Sequence, residues 1–314
     1  MRIMAQASRS ATLSLSFVIL LPALAAAQAP ATSSPYIGNN VCRDCHAEIW
    51  QSFYRNPHYK SIASGKELPE RTGCEGCHGG ARAHVEAGGG IDTIPRAFSL
   101  MTPHQALETC LTCHAKDASK ANIRRSEHTL NDVACTSCHS IHNAATPKYL
   151  LAKKQSDLCY TCHAAIQAQF EMPSKHRVNE GFMQCTDCHN PHGALSHAMV
   201  KAESVPQLCT SCHAEKRGPY IWEHPPVEEN CLTCHNPHGS NHNRLLAEKA
   251  PNVCQDCHDA AQHPGTVYSA QQGWLFSTPA TVPSTRLIAR GCVNCHYNIH
   301  GSNAPAMRGK FFLR

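Results

Sequence analysis

The chain is short of the residues that build an ordinary protein interior. Its 314 residues include three tryptophans, eight phenylalanines and eight tyrosines. So few large apolar side chains cannot offset the entropy of ordering a chain this long, and some component other than protein has to complete the interior. The seven methionines recur at no fixed spacing. Cysteine is absent outside one pattern, which leaves no residue over for a separate disulfide or a free thiol.

That pattern is C-x-x-C-H, present ten times and using all 20 cysteines. In order the motifs are Cys42, Cys45, His46; Cys74, Cys77, His78; Cys110, Cys113, His114; Cys135, Cys138, His139; and Cys159, Cys162, His163. The second five are Cys185, Cys188, His189; Cys209, Cys212, His213; Cys231, Cys234, His235; Cys254, Cys257, His258; and Cys292, Cys295, His296. Zinc sites also use C-x-x-C, but they need no histidine directly after every second cysteine, and neither does a disulfide framework. The pattern is the attachment signature of c-type haem. Two thiols bond the porphyrin, and the adjacent histidine is the proximal iron ligand. The expected cofactors are therefore ten covalently attached c-type haems, and without them the chain should be largely unfolded.

Residues 1–27 carry Arg2 and Arg9, an apolar run from Ala11 to about Leu24, and then Ala25-Ala26-Ala27. This is the order of a cleaved secretory signal peptide. The run is shorter than the ~20 residues of a spanning helix. An exported protein of the periplasm is expected, with no segment of its own crossing lipid. Loss of the two arginines lowers the formal charge of +5 to +3. Ten oxidised haems with their propionates then bring the total to on the order of −7, so the basic sequence pI is no argument for nucleic acid.

From Cys110 to Cys254 the motifs start 25, 24, 26, 24, 22 and 23 residues apart, the mark of an internal repeat. Motifs following Leu or Val (DLC, QLC, NVC) alternate with motifs that have one histidine upstream and another three residues after the ligand. The chain reads as five two-haem units in one continuous array, divisible near Phe170–Pro173 into five-haem halves at 28–170 and 171–314. The fold expected is an elongated multihaem cytochrome c, with short α-helices and irregular segments around the haems and little or no β.

Thirteen of the 23 histidines lie outside the motifs. The repeat selects ten as distal ligands: His58, His84, His128, His142, His176, His192, His224, His238, His263 and His300. That number closes every iron by bis-histidine ligation. His142, His192, His238 and His300 follow a motif too closely to reach around their own porphyrin, so each is expected to serve a neighbouring haem. His104, His197 and His242 remain spare, and His104 could replace His84 or His263. Bis-histidine iron has no open position for a substrate. Electron transfer is therefore expected, and no catalytic residue is assigned.

The ten motifs, WQSFYRNPH at 50–58, GCEGCHGGARAH at 73–84, NPHG at 190–193 and 236–239, and HYNIHGSNAP at 296–305 resemble the MtrA/DmsE family of periplasmic decahaem cytochromes. The resemblance covers essentially all of the chain after residue 27. One departure is SIHN at 140–143, which keeps His142. The resemblance implies a haem wire seated in an outer-membrane β-barrel porin of the MtrB/PioB type. Its implied partners are a periplasmic or inner-membrane electron donor and an extracellular cytochrome, terminal reductase or metal. A chain of 314 − 27 = 287 residues has, even when compact, a radius of gyration of ~19 Å. Its diameter, ~50 Å, then already matches the about 40–45 Å of a bilayer with headgroups. A diffusible periplasmic shuttle and a multihaem reductase of a small nitrogen or sulfur compound are the alternatives.

Overall fold

A computed structural model describes residues 33–258 and 292–313. The segment 1–27 and His263 lie outside them. The described residues form short α- and 3-10 helices joined by turns, with isolated β-bridges and no strand. This is the multihaem cytochrome architecture that the sequence leads one to expect.

The motif itself explains the brevity of the helices. Each C-x-x-C is a single helical turn closed by a bond from the ligand histidine's N–H to the first cysteine's carbonyl. The bond is 2.9 Å at His46, His139, His213, His258 and His296, and 3.0 Å at His163, His189 and His235. This i, i+3, i+4 arrangement puts both sulfurs and the imidazole on one face. The longest helix, α1 (Pro103–His114), ends in the third motif. It begins with Pro103 at its first position and a capping box, Thr102 accepting from Gln105 N at 3.2 Å while Gln105 Oε1 accepts from Thr102 N at 2.8 Å. It buries Ala106, Leu107 and Leu111.

The interior is correspondingly small. Leu107, Leu111 and Ile123 form one buried cluster and touch Cys135. Tyr160, Phe170 and Val178 form a second and touch Cys185. Phe170 closes the helix α2 (Ala164–Phe170). Each cluster thus ends on a motif cysteine, where an attached porphyrin extends it.

Hydrogen bonds among the described residues do not reach beyond the neighbouring repeat. Among the described residues the widest sequence separation crossed by a hydrogen bond is the 90 residues between Ser52 and His142. Successive repeats instead join end to end. Ser174 bridges Ser240 and Trp222 bridges Ser302, so the segment after each downstream histidine runs antiparallel to the segment before the upstream histidine of the preceding repeat. Such stacking of each unit on its neighbours is quasi-one-dimensional. The boundary near Phe170–Pro173 is crossed by the same kind of contact. Gln155 Nε2 donates to Thr186 Oγ1 at 3.1 Å, and Phe170 packs on Val178.

Two glycines mark how closely the repeats approach. Gly193 has φ +102°, and a Cβ there would lie 2.7 Å from the Asn122 carbonyl oxygen. At Gly239 a Cβ would sit 1.8 Å from the Gln169 carbonyl oxygen. In SIHN, Asn143 occupies the glycine position. There the junction is made through side chains instead: Ser52 Oγ donates to the His142 carbonyl at 2.8 Å, and Asn56 Nδ2 to that of Ile141.

Candidate metal centres

Histidines far apart in sequence meet ring to ring. Each of the first nine motif histidines faces one non-motif histidine, with centroids 5.9–6.3 Å apart. The pairs are His46 with His84, His78 with His142, His114 with His58, His139 with His192 and His163 with His128. The remainder are His189 with His238, His213 with His176, His235 with His300 and His258 with His224. A metal held between two imidazole nitrogens at ~2 Å each separates their ring centroids by about 6 Å. The spacing fits an iron in every pair.

The pairing follows a rule. An upstream histidine faces the odd-numbered motif that ends its own repeat, as His176 faces His213. A downstream histidine faces the even-numbered motif of the preceding repeat, as His238 faces His189. His142, His192, His238 and His300 therefore reach back two motifs, past the adjacent one. The antiparallel junctions through Ser240 and Ser302 carry them there. His84 is the exception: it follows the second motif and faces His46 of the first, one motif back, because no earlier motif exists. Of the spare histidines, His104 is exposed and lies 4.0 Å from Glu108, while His197 and His242 lie in the turns after their motifs.

Hydrogen bonds at Nδ1 set the tautomer of several of these rings. His128 donates to the Pro191 carbonyl at 3.0 Å and His176 to that of Pro237 at 2.7 Å, in each case the residue before a downstream histidine. His224 Nδ1 is buried and turned toward the corresponding Ile299 carbonyl without closing a bond of normal geometry. His58 donates to Asn56 Oδ1 at 3.1 Å, and Asn56 in turn bonds Ile141. A carbonyl can only accept, so the proton sits on Nδ1 and the Nε2 lone pair is free for a metal. Burial holds His192 and His300 down at about 4 and lowers His58, His142, His224 and His238, so these rings stay neutral, as a ligand must.

The ligands of the fourth, sixth, eighth and tenth motifs share a device that the motif spelling does not announce. His139, His189, His235 and His296 donate from Nδ1 to the carbonyls of Tyr149, Ala198, Arg244 and Phe311 at 2.7–2.9 Å. The residues that follow, Leu150, Met199, Leu245 and Phe312, have φ between 53° and 57°. Left-handed backbone at non-glycine residues is strained; here it turns the acceptor carbonyl onto the imidazole. The signal in sequence is an apolar pair after each such motif: Leu150-Leu151, Met199-Val200, Leu245-Leu246 and Phe312-Leu313.

Sulfur placement orders the motifs in space. The thiols of Cys42 and Cys74, Cys110 and Cys135, Cys159 and Cys185, Cys209 and Cys231, and Cys254 and Cys292 are close enough to shift one another's ionisation. Cys77 with Cys113, Cys138 with Cys162, Cys188 with Cys212, and Cys234 with Cys257 are within electrostatic reach. In the haem-bearing chain these sulfurs are thioethers, so their position matters and their titration does not. Each motif lies beside the next from the first to the tenth.

Two further carboxylates belong to this framework. Glu75, inside the second motif, is 1% exposed and accepts from the N–H groups of Ile37, Gly38 and Ala81 at 2.8–3.0 Å. Asp117 accepts from Lys120 Nζ at 2.7 Å and from His114 Nδ1 at 2.9 Å, and these hydrogen bonds, the lysine's first, hold it down at about 2.

Residues 128–168, 176–218 and 224–263 match the family described as the doubled CXXCH motif, and residues 92–140 match cytochrome c554 and c-prime. The three doubled matches correspond to three successive repeats of the pairing rule. The chain is 37% identical over 279 residues to the multihaem cytochrome MtrA of Shewanella baltica (strain OS185), covering 88% of this chain and 81% of that one. It is 27% identical over 127 residues to the cytochrome c-type protein NrfB of Escherichia coli O6:H1, covering 40% of this chain and 64% of that one. Covalently bound c-type haem follows from the motifs and these families.

Proposed function

Because this chain belongs to the MtrA family of multihaem cytochromes, which transfer electrons and are not enzymes, we propose that it is a ten-haem conduit across the outer membrane. In this reading every motif carries a haem and every iron is closed by two histidines, His263 serving the tenth motif. The chain sits in a β-barrel porin of the MtrB/PioB type. It joins a periplasmic or inner-membrane donor to an extracellular cytochrome, reductase or metal.

One observation carries the proposal: the motifs lie side by side in chain order, and the histidine pairs cross from one repeat to the next. Bound haem contributes one-electron transfer at potentials set by its ligands and surroundings. The chain's own residues do the rest. The C-x-x-C turns fix where each macrocycle is attached. The Nδ1 bonds aim Nε2 of several of these rings at the metal position, and the facing histidine on the other side leaves no position open for a substrate.

No helix among the described residues is long and apolar enough to cross a membrane. Irregular backbone of this kind could not face lipid, where its polar groups would go unsatisfied, and this supports a barrel as the enclosing partner. Export by residues 1–27 to the periplasm, followed by association with the outer membrane, completes the reading. The shorter similarity to NrfB favours a second one, a diffusible periplasmic carrier using the same haems. Co-purification from detergent-solubilised outer membranes separates the two. A conduit is recovered with a barrel protein; recovery solely as a free monomer refutes the conduit.

A further inference from the structure

The ligand-orienting hydrogen bonds are alike except at the third motif. Where the other rings bond from Nδ1, the acceptor is a backbone carbonyl or a neutral side-chain oxygen, as at His78 (Arg96 carbonyl, 3.0 Å) and His84 (Gly90 carbonyl and Thr93 Oγ1). At His114 it is the carboxylate of Asp117, 2.9 Å away. The nearest parallel, Glu215, stays 3.8 Å from His213, beyond hydrogen-bond distance. In the whole sequence no other motif histidine has an acidic residue three positions on.

Local structure fixes this carboxylate. α1 ends at His114, the Asp117 N–H returns to the His114 carbonyl at 3.2 Å, and the Lys120 N–H to the Asp117 carbonyl at 2.9 Å. Lys120 Nζ clamps the same oxygen at 2.7 Å. Asn190 Nδ2 donates to the Ser119 carbonyl at 3.0 Å, and the Lys120 cation is within electrostatic reach of His192, the ring facing the fourth motif's His139. An anion thus sits on the third site's ligand, and the cation that clamps it acts on a ligand of the fourth.

We propose that Asp117 is a positioning residue that lowers the reduction potential of the third haem, and that Lys120 raises that of the fourth, building a potential step between adjacent sites. A carboxylate on the Nδ1 proton, even paired with Lys120, makes the imidazole a stronger donor than a neutral oxygen does, which favours ferric over ferrous iron. A cation near the next site favours its reduced, less positive state. Both side chains of the His114–Asp117 pair are less than half exposed, so water and salt weaken the effect without reversing its sign. The inference rests on histidine ligation at both sites.

The test is optical redox titration of purified holoprotein, with electron paramagnetic resonance of the oxidised form. In Asp117→Asn about one tenth of the haem absorbance moves to higher potential while all iron stays low-spin. In Lys120→Gln about two tenths moves to lower potential, because the third site loses its counter-cation and the fourth its nearby charge. Glu215→Gln leaves the curve unchanged. Superimposed curves for wild type and Asp117→Asn, or a shift to lower potential, overturn the inference. So does an equal shift in Glu215→Gln. If Asp117→Asn does not mature, an unchanged Lys120→Gln curve overturns it. High-spin iron in the wild type would instead sink the ligation reading, and so the two failures are told apart.

Discussion

Cutting the chain after Lys249 and excising residues 174–221 each remove two motifs, leaving 10 − 2 = 8 haems. The pairing rule predicts different outcomes for the two. Truncation deletes the ninth and tenth motifs together with His300, the ring 6.2 Å from His235. The eighth haem then loses its distal ligand while the seven before it keep theirs, so one eighth of the iron becomes five-coordinate. Internal excision joins Pro173 to Trp222 and removes His176, the sixth motif, His192 and the seventh motif. His238, released from the missing His189, arrives in the register His192 held opposite His139, with Gly239 taking the place of Gly193 over Asn122. The Trp222–Ser302 bridge is untouched, and every remaining haem is closed. Mass spectrometry counts the haems. Electron paramagnetic resonance and the high-spin absorption band of the oxidised proteins then read the open fraction. If ligands were drawn from within each unit, the truncated chain would show no high-spin iron. That result, or an open iron in the excised chain, refutes the cross-repeat rule.

Gly239→Ala drives a Cβ into the Gln169 backbone and is expected to destabilise the holoprotein by about 1–3 kcal/mol, seen as a lower Tm. Ala198→Gly has the opposite sign. Exposed Ala198 sits at φ +54°, and relief of that strain outweighs the entropy of glycine, for a gain of about 0.5–1 kcal/mol in denaturant unfolding. Glu75→Gln leaves one acceptor oxygen where two served three N–H groups. A loss of about 1–3 kcal/mol is expected, and unchanged stability would show that those donors find other partners. Chain made without haem attachment should give a far-UV circular dichroism spectrum with little helix and no cooperative melt, because the buried clusters among the described residues are two groups of three; a sharp thermal transition would contradict this.

Sequence patterning went far for this chain because covalent attachment is written locally. C-x-x-C-H places two sulfurs and an imidazole on one turn whatever surrounds it, and so the motifs, their number and the short helices could all be read before any coordinates. Candidate distal histidines were also legible, since they recur at fixed offsets from alternate motifs. Their partners were not. The reach of His238 back to His189, past the nearer seventh motif, depends on the bridge between Ser240 and Ser174, and no local spacing encodes it. Asp117 escaped notice for a related reason. An aspartate three residues after a ligand is an ordinary surface residue until the turn after α1 folds it onto the His114 ring.

The sequence by itself determined the chemistry: ten attachment turns with their ligand histidines, and too few large apolar residues to fold without what they bind. Tertiary structure alone decided the order in space, which histidine faces which, and which ligand leans on a charge. The physical reason is range. A thioether turn is closed by bonds within five residues. Facing two rings about 6 Å apart across dozens of residues requires antiparallel junctions, glycine-thin contacts and strained carbonyls that exist only once neighbouring repeats have packed.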